Sequence, residues 1–246
     1  MKRKLKIIAM IPARMGSKRV KFKNLRLLAG KPLIHHVLGV VRDAAIFDEI
    51  YLNSEDEIFA DVAREFGAQF YRRPEELAGD NATNDQFVND FLTNVECDYL
   101  VQVNPTSPLF TVEDIRKFTT MMIDGNYDAL HGVKEERIEG ILEGKPLNFD
   151  PCKPMPRSQD LSPILLHAGG IMGWKRSEHL RNMKEFGCAT YGCEGKIGYF
   201  KIEGFSQIDI DREEDFMMAE LAMQVRQNPD KFSPQFPEFL KEQFTV

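Results

Sequence analysis

Short apolar runs alternate with longer amphipathic stretches along the first 134 residues, and this alternation limits the folds open to the chain. "LKIIAMI" (5–11) is apolar without a break, as a strand covered on both faces must be. "EIYLNS" (49–54), "AQFYRRP" (68–74), "YLVQVNP" (99–105) and "DALHGVK" (128–134) read as further strands. Between them, "GKPLIHHVLGVVRDA" has Pro32 near its first turn and reads as a helix. "DEIFADVAREFG" spaces Ile58, Val62 and Phe66 at i, i+4 and i+8 and stops at Gly67. "TNDQFVNDFLTNV" (83–95) is amphipathic, and "TVEDIRKFTTMMIDG" (111–125) opens with Thr111 and Asp114 close to a capping box. Strands and helices in this order predict an α/β fold with a doubly wound, mostly parallel sheet. Ligands of such sheets sit beyond the carboxyl ends of the strands.

The rhythm breaks over 135–168, a proline-rich stretch without a helical period. It reads as an excursion, a hairpin with an extended arm, serving as a lid or an oligomer contact. "GGIMGWK" resumes as a strand, followed by a helix near 176–186, a strand in "KIGYFKIEG" and a helix over 213–228. The 229–246 tail is broken by prolines and rich in aromatics, and is expected to pack along a surface or a partner subunit. All 246 residues form one domain, with 135–168 as its insertion. No apolar run approaches the roughly 20 residues of a membrane span. The basic start is followed by too short an apolar run for a signal peptide, so the expected location is cytoplasmic. Cys97, Cys152, Cys188 and Cys193 show no C-x-x-C spacing and read as free thiols rather than zinc ligands.

Two stretches carry chemistry. "IPARMGSKRVKFKN" (11–24) follows the first strand, and Arg14, Lys18, Arg19, Lys21, Lys23 and Arg26 cluster there in a chain whose formal charge is -6. Backbone N–H groups and cations in such a loop suit phosphates, with Arg able to grip two oxygens at once. Neither G-x-x-x-x-G-K-[ST] nor G-x-G-x-x-G is present. A solvated basic face or a nucleic-acid patch would have the same composition, although the acidic balance argues against nucleic acid. The second stretch is "IDIDREED" (208–215). On a strand, Asp209 and Asp211 would share a face, about 7 Å apart, and could share Mg²⁺. A polar strand end capping the last helix is the alternative. Together the two features suggest metal-assisted nucleotidyl transfer.

The basic stretch resembles the nucleotide-binding signature of cytidylyltransferases that activate 2-keto sugar acids, above all the acylneuraminate (CMP-sialic acid) synthetases. Ala13, Arg14, Ser17, Lys18, Lys23 and Asn24 fit their A-R-x-x-S-K-x-x-x-x-K-N pattern. "RRPEELAGD" resembles R-P-x-x-L-A-x-D, "NPTSPL" resembles Q-P-T-S-P-L, "PRSQDLSP" resembles R-R-Q-D-L-P-P, and "IDID" resembles the family's S-I-D-I-D. The matches keep family order over about residues 7–222.

The resemblance implies a Rossmann-like nucleotidyltransferase that joins CTP to an acidic sugar with Mg²⁺ and releases pyrophosphate. It implies that Arg14, Lys18 and Lys23 hold the triphosphate. Ala13, Ser17, Asn24, Arg73, Asp80, Thr83 and Asn104 would complete the nucleotide site, and Asp209 and Asp211 would hold Mg²⁺. Arg14, Lys18, Asp209 and Asp211 would be catalytic. Asn104, Arg157, Gln159, His167 and Gly169 would face the acceptor, and 135–168 would be a dimerisation arm, giving a homodimer. Arg19, Lys21 and Arg26 fall outside the pattern and read as solvated neighbours. The departures gather at the acceptor side. Asn104 stands for Gln, Phe110 for Arg, Leu165 for an aromatic and Ala168 for an amide. Another sugar acid, another nucleotide such as GTP, or an idle nucleotide-binding protein therefore stay as alternatives.

Overall fold

The computed structural model describes residues 3–233 together with 235 and 237. The strands, in chain order, are β1 (Ile7–Pro12), β2 (Leu27–Leu28), β3 (Lys31–Pro32), β4 (Glu49–Ser54), β5 (Gln69–Arg72), β6 (Tyr99–Val103), β7 (Ala129–Glu136), β8 (Ile141–Leu142), β9 (Lys145–Pro146), β10 (Ile164–Lys175) and β11 (Ile197–Lys201). The helices are α1 (Leu33–Ala44), α2 (Ile58–Glu65), α3 (Asn84–Asn94), α4 (Val112–Asp124), α5 (Arg176–Phe186) and α6 (Glu213–Gln227). Seven strands form one sheet in the order β11-β7-β10-β6-β1-β4-β5. All run parallel except β10, which is antiparallel to both β6 and β7. The predicted doubly wound, mostly parallel sheet is what forms.

The unbroken apolar run of β1 has a two-sided explanation. Ala9 and Ile11 point to a core shared with α1, α2 and α4, through Val37, Phe59 and Phe118. Ile8 and Met10 point to the other face, where α3 contributes Val88 and Phe91. Alternation at period two thus fills both layers from one strand. Burying each large side chain stabilises the fold by about 1.5–3 kcal/mol. Local chemistry sets the helix ends. The Thr111 amide donates to Asp114 Oδ2 at 2.8 Å and the Asp114 amide donates to Thr111 Oγ1 at 3.1 Å, so α4 has its capping box. Gly67, with φ +67°, follows α2 in the left-handed conformation that stops a helix.

A third, smaller core lies at the carboxyl end of β1. Val20 of the basic loop packs with Leu28, Leu33, Leu109 and Ile210 against Phe216 and Ala219 of α6. This cluster ties the loop to a helix almost two hundred residues away.

Two expectations need correction. β7 runs to Glu136 and β10 starts at Ile164, paired with each other, so the excursion is 137–163 rather than 135–168. It contains the small β8–β9 hairpin. Second, 208–211 is not a strand. The Ile210 amide donates to Thr106 O at 2.7 Å, so this stretch lies along the rim of the sheet without joining a ladder. Of the expected tail, Pro229–Phe232 is a single 3-10 turn, and 234, 236 and 238–246 lie outside the described residues. Among the described residues, no helix is long and apolar enough to cross a membrane.

Candidate active site

The sheet order fixes where a ligand can sit. From β1 the chain moves outward to β4 and β5, then returns through α3 to β6 on the other side of β1. The carboxyl ends of β1 and β6 therefore diverge into a crevice. A cavity of about 240 Å³ opens there, between the basic loop, the 104–106 turn after β6 and Asp211. Arg14, Ser17, Lys18, Lys23, Asn24 and Asn104 line it, and so does Arg19.

Each cation is held differently. Arg14 Nη1 lies 3.3 Å from Asp80 Oδ1, and Lys18 also pairs with Asp80. Lys18 is 76% exposed, so its pairing is cheap to exchange for a phosphate. Lys23 is only 12% exposed, donates to Ile210 O at 2.5 Å and lies 3.6 Å from Asp211 Oδ1. Burial pulls its ammonium below the usual lysine pKa, against the raising effect of Asp211 and Asp209. Arg19 Nη2 reaches Asp211 Oδ1 at 3.0 Å, so this arginine belongs to the site and is not the bystander its mismatch with the pattern suggested. Lys21 and Arg26 are absent from the lining. Arg26 pairs with Glu213 and stacks 4.2 Å over Phe216.

Ala13 and Met15 hold the entry to the loop. The Ala13 amide donates to Asn53 O at 2.9 Å, and the Met15 amide to Glu55 Oε1 at 2.9 Å. Asn24, almost fully buried, donates to Arg14 O at 3.0 Å. Arg73 is 4% exposed and donates through Nε to Asn53 Oδ1 at 2.7 Å and through Nη2 to Asn53 O at 2.8 Å. Burial lowers its pKa to about 10. Its guanidinium braces β4 beneath the loop rather than projecting into the cavity. Thr83 caps α3, its hydroxyl accepting from the Gln86 amide at 3.3 Å. Glu55 and Asn53 carried no signal in the sequence, because their partners lie some 40 residues away.

Asp209 accepts from Ser107 Oγ at 3.1 Å. The charges of Asp211 and Asp209 both act to raise the Lys23 pKa, and Asp211, which lines the crevice, lies 3.6 Å from its ammonium. Among the described residues, no three His, Cys, Asp or Glu side chains gather into a metal cage.

The acceptor-side residues divide. Asn104 donates through Nδ2 to Gly169 O at 2.6 Å and accepts from Gln102 Nε2 at 2.9 Å, so both ends of its amide are engaged within the chain. Gly169, at φ +69°, forms part of an irregularity in β10 between His167 and Met172. A Cβ on Gly170 would lie 2.3 Å from Ser107 Oγ, so this close approach requires glycine. Phe110 fills the adjacent core, 3% exposed, where the family pattern has an arginine. His167 is exposed and does not line the cavity; its ring lies 5.1 Å from those of His131 and Tyr191. Arg157 and Gln159 sit on the arm outside the cavity, Arg157 pairing with Asp160 at 2.8 Å.

Known proteins resemble this chain in sequence and in fold. The family profile described as cytidylyltransferase matches residues 8–156. N-acylneuraminate cytidylyltransferase of Oncorhynchus mykiss is 29% identical over 87% of this chain and 49% of its own. CMP-N,N'-diacetyllegionaminic acid synthase of Legionella pneumophila is 40% identical over 46% of this chain and 51% of its own. The chain spans about half the length of these curated relatives. A solved CMP:2-keto-3-deoxy-manno-octonic acid synthetase in complex with CTP superposes with a TM-score of 0.69 at 18% identity, covering 90% of this chain and 99% of that one. A profile match over more than half of the sequence, taking in β1 and the basic loop that shape the crevice, shows that the chain belongs to the cytidylyltransferase family.

Proposed function

We propose that the crevice binds CTP and transfers its cytidylyl group to a hydroxyl of an acidic sugar of the 2-keto-3-deoxy class. The observation that carries this reading is the concentration of Arg14, Lys18, Arg19 and Lys23 at the switch point of the sheet, facing Asp211. A nucleoside triphosphate brings about four negative charges, and these cations supply the opposing field. The named relatives act on sugar acids, which suits an acceptor carrying a carboxylate.

In this reaction the acceptor hydroxyl oxygen bonds to the α-phosphorus and gives up its proton to solvent, the α–β anhydride bond breaks and pyrophosphate leaves with the bonding electron pair. Positioning and neutralisation dominate such transfers. Arg14 and Lys18 exchange Asp80 for the β- and γ-phosphates and stabilise the departing charge. Lys23, fixed by Ile210 O, adds a held positive charge to the cavity lining. Asp209 and Asp211 are the residues that would hold Mg²⁺. Their hard oxygens fit it, because Mg²⁺ is usually held by one or two carboxylates with substrate phosphates and waters, not by an all-protein cage. When bound, the ion neutralises phosphate charge and acidifies the acceptor hydroxyl.

The arm suits a homodimer. Ile138, Ile141, Leu142, Leu147 and Met155 are more than half exposed along it, and a second copy covering them would explain that apolar surface. Arg157 and Gln159 then face the partner's acceptor.

A pyrophosphate-release screen of four nucleoside triphosphates against a panel of sugar acids with Mg²⁺ tests the reading. Release with CTP and one sugar acid, with a product mass equal to CMP plus that sugar less water, is expected. CTP binding without release across the panel would overturn it in favour of an idle nucleotide binder. Asp209→Asn combined with Asp211→Asn is expected to abolish release, and turnover within a few fold of wild type would remove the metal role.

A further inference from the structure

The turn after α5 brings two thiols together that the sequence left unconnected. Gly187, at φ +72°, closes α5. The Gly192 amide then donates to Ala189 O at 2.9 Å, reversing the chain over four residues. Cys188 and Cys193 flank that reversal, with their sulfurs 3.9 Å apart. The Cys193 thiol donates to Cys188 O at 3.2 Å, and Cys193 sits at φ +46°.

The turn is moored on several sides. Asp85 Oδ1 accepts from the Ala189 and Thr190 amides at 2.7 and 2.6 Å. Thr190 O accepts from Trp174 Nε1 at 2.9 Å, and Gly192 O accepts from Asn182 Nδ2 at 3.1 Å. Tyr191, at the tip, is 67% exposed and lays its ring 5.1 Å from His167 and 5.9 Å from His131. His167 precedes the Gly169 carbonyl that meets Asn104 in the crevice wall. Thr190 also reaches the crevice through Asn84 and Gln102, the latter bonded to Asn104.

We propose that Cys188 and Cys193 are a reversible dithiol–disulfide pair that clasps the turn carrying Tyr191. A disulfide needs the sulfurs at about 2.05 Å, so they must close by about 1.9 Å from their present 3.9 Å. One side-chain rotation moves a sulfur farther than that. The oxidant is a small disulfide such as oxidised glutathione. The Cys188 thiolate attacks it and expels one reduced glutathione; Cys193 then attacks the Cys188 sulfur and expels the second. Two thiols lose two hydrogens, and one oxidised glutathione becomes two reduced ones. Exposed Cys188 is the entry point. Burial and the neighbouring Cys188 raise the Cys193 thiol, which makes it the poorer first attacker and leaves it to act second, within the turn. Exposed Cys152, on the arm, and buried Cys97, whose thiol burial pushes up to about 12, take no part. Under the proposed function, the pair gives the acceptor side a redox input, but its test needs no activity.

The full chain is equilibrated with oxidised glutathione, alkylated and weighed. The expected product has lost about 2 Da, takes up two fewer alkyl groups and contains a Cys188–Cys193 cross-linked peptide that dithiothreitol cleaves. Cys152→Ser is expected to behave the same way, and Cys188→Ser to lose the cross-link. Amide exchange of 189–192 should slow on oxidation. Persistence of both thiols, a lasting glutathione adduct on Cys188, a cross-link between chains, or unchanged exchange beside a formed bond would each overturn the proposal.

Discussion

The basic loop and the arm are both irregular, charged and interrupted by turns, yet they are held in opposite ways. The loop is fixed by partners far along the chain: Val20 packs on Ile210 and Phe216, Lys23 bonds to Ile210 O, and Ala13 bonds to Asn53 O. The arm is fixed mostly by itself. Asn148 donates to Ile138 O and Ser162 O at 2.9 and 2.8 Å, and Arg137 donates to Leu161 O at 2.8 Å. Except for buried Leu161, its large aliphatic side chains stay outside, Met155 at 84% exposure. A loop that must aim several cations at one place has its geometry set by the core. A segment that carries apolar surface outward does not.

Substitutions that strike one region and spare the other test this contrast. The largest effect is expected from Val20→Asp, which buries a charge in an apolar cluster and should cost on the order of 5 kcal/mol in denaturant unfolding. A cost below 1 kcal/mol would mean that the loop is not anchored there. Next, Arg14→Ala with Lys18→Ala should lower pyrophosphate release by about a thousandfold while leaving the unfolding midpoint in place. Both side chains are surface-paired, so a fall in stability to match the fall in rate would contradict their reading as ligand groups.

Acidification comes third and separates the regions by composition, because 137–163 contains no histidine. Burial lowers the pKa of His131 and of His179 to about 4. From the ordinary value near 6.5 down to 4, the unfolded chain takes up protons that the folded chain refuses. Stability is therefore complete above pH 6.5 and falls as the pH drops, by about 2 kcal/mol for each group at pH 5. Melting curves between pH 7 and 5 that fail to shift downward would refute it. The smallest effect on the monomer is expected from Met155→Ser, under about 0.5 kcal/mol. The same change should weaken self-association in sedimentation experiments if the arm is the dimer contact.

Much of this molecule was legible before its coordinates. The apolar run at 5–11 and the periodic stretches gave strands and helices to within a few residues, because burial on two faces leaves few other patterns. The cation cluster stood out through its order with the other motifs, and the structure gathers Arg14, Lys18, Arg19 and Lys23 around one cavity. Pairings across the fold were not legible. Arg19 finds Asp211 across 192 positions, and nothing local to either residue announces it. Asp209 and Asp211 were read as a strand because they alternate with Ile208 and Ile210. Alternation records burial, however, and Ile210 is buried by the third core without pairing into a strand ladder. Arg73 matched a nucleotide-site pattern, and the fold engages its guanidinium with Asn53, outside the cavity lining, a pairing that nothing local in the sequence announces.

The reversal of β10 has a final consequence. Because it runs against β7, Glu136 and Ile164 face each other as a cross-strand pair. Everything between them leaves the sheet and returns at one point. The arm is thus a cassette, with entry and exit side by side, and its length can change without displacing a single rung of the ladder beneath it. Relatives on the same scaffold are free to differ in reach there while the crevice end of β1 stays put.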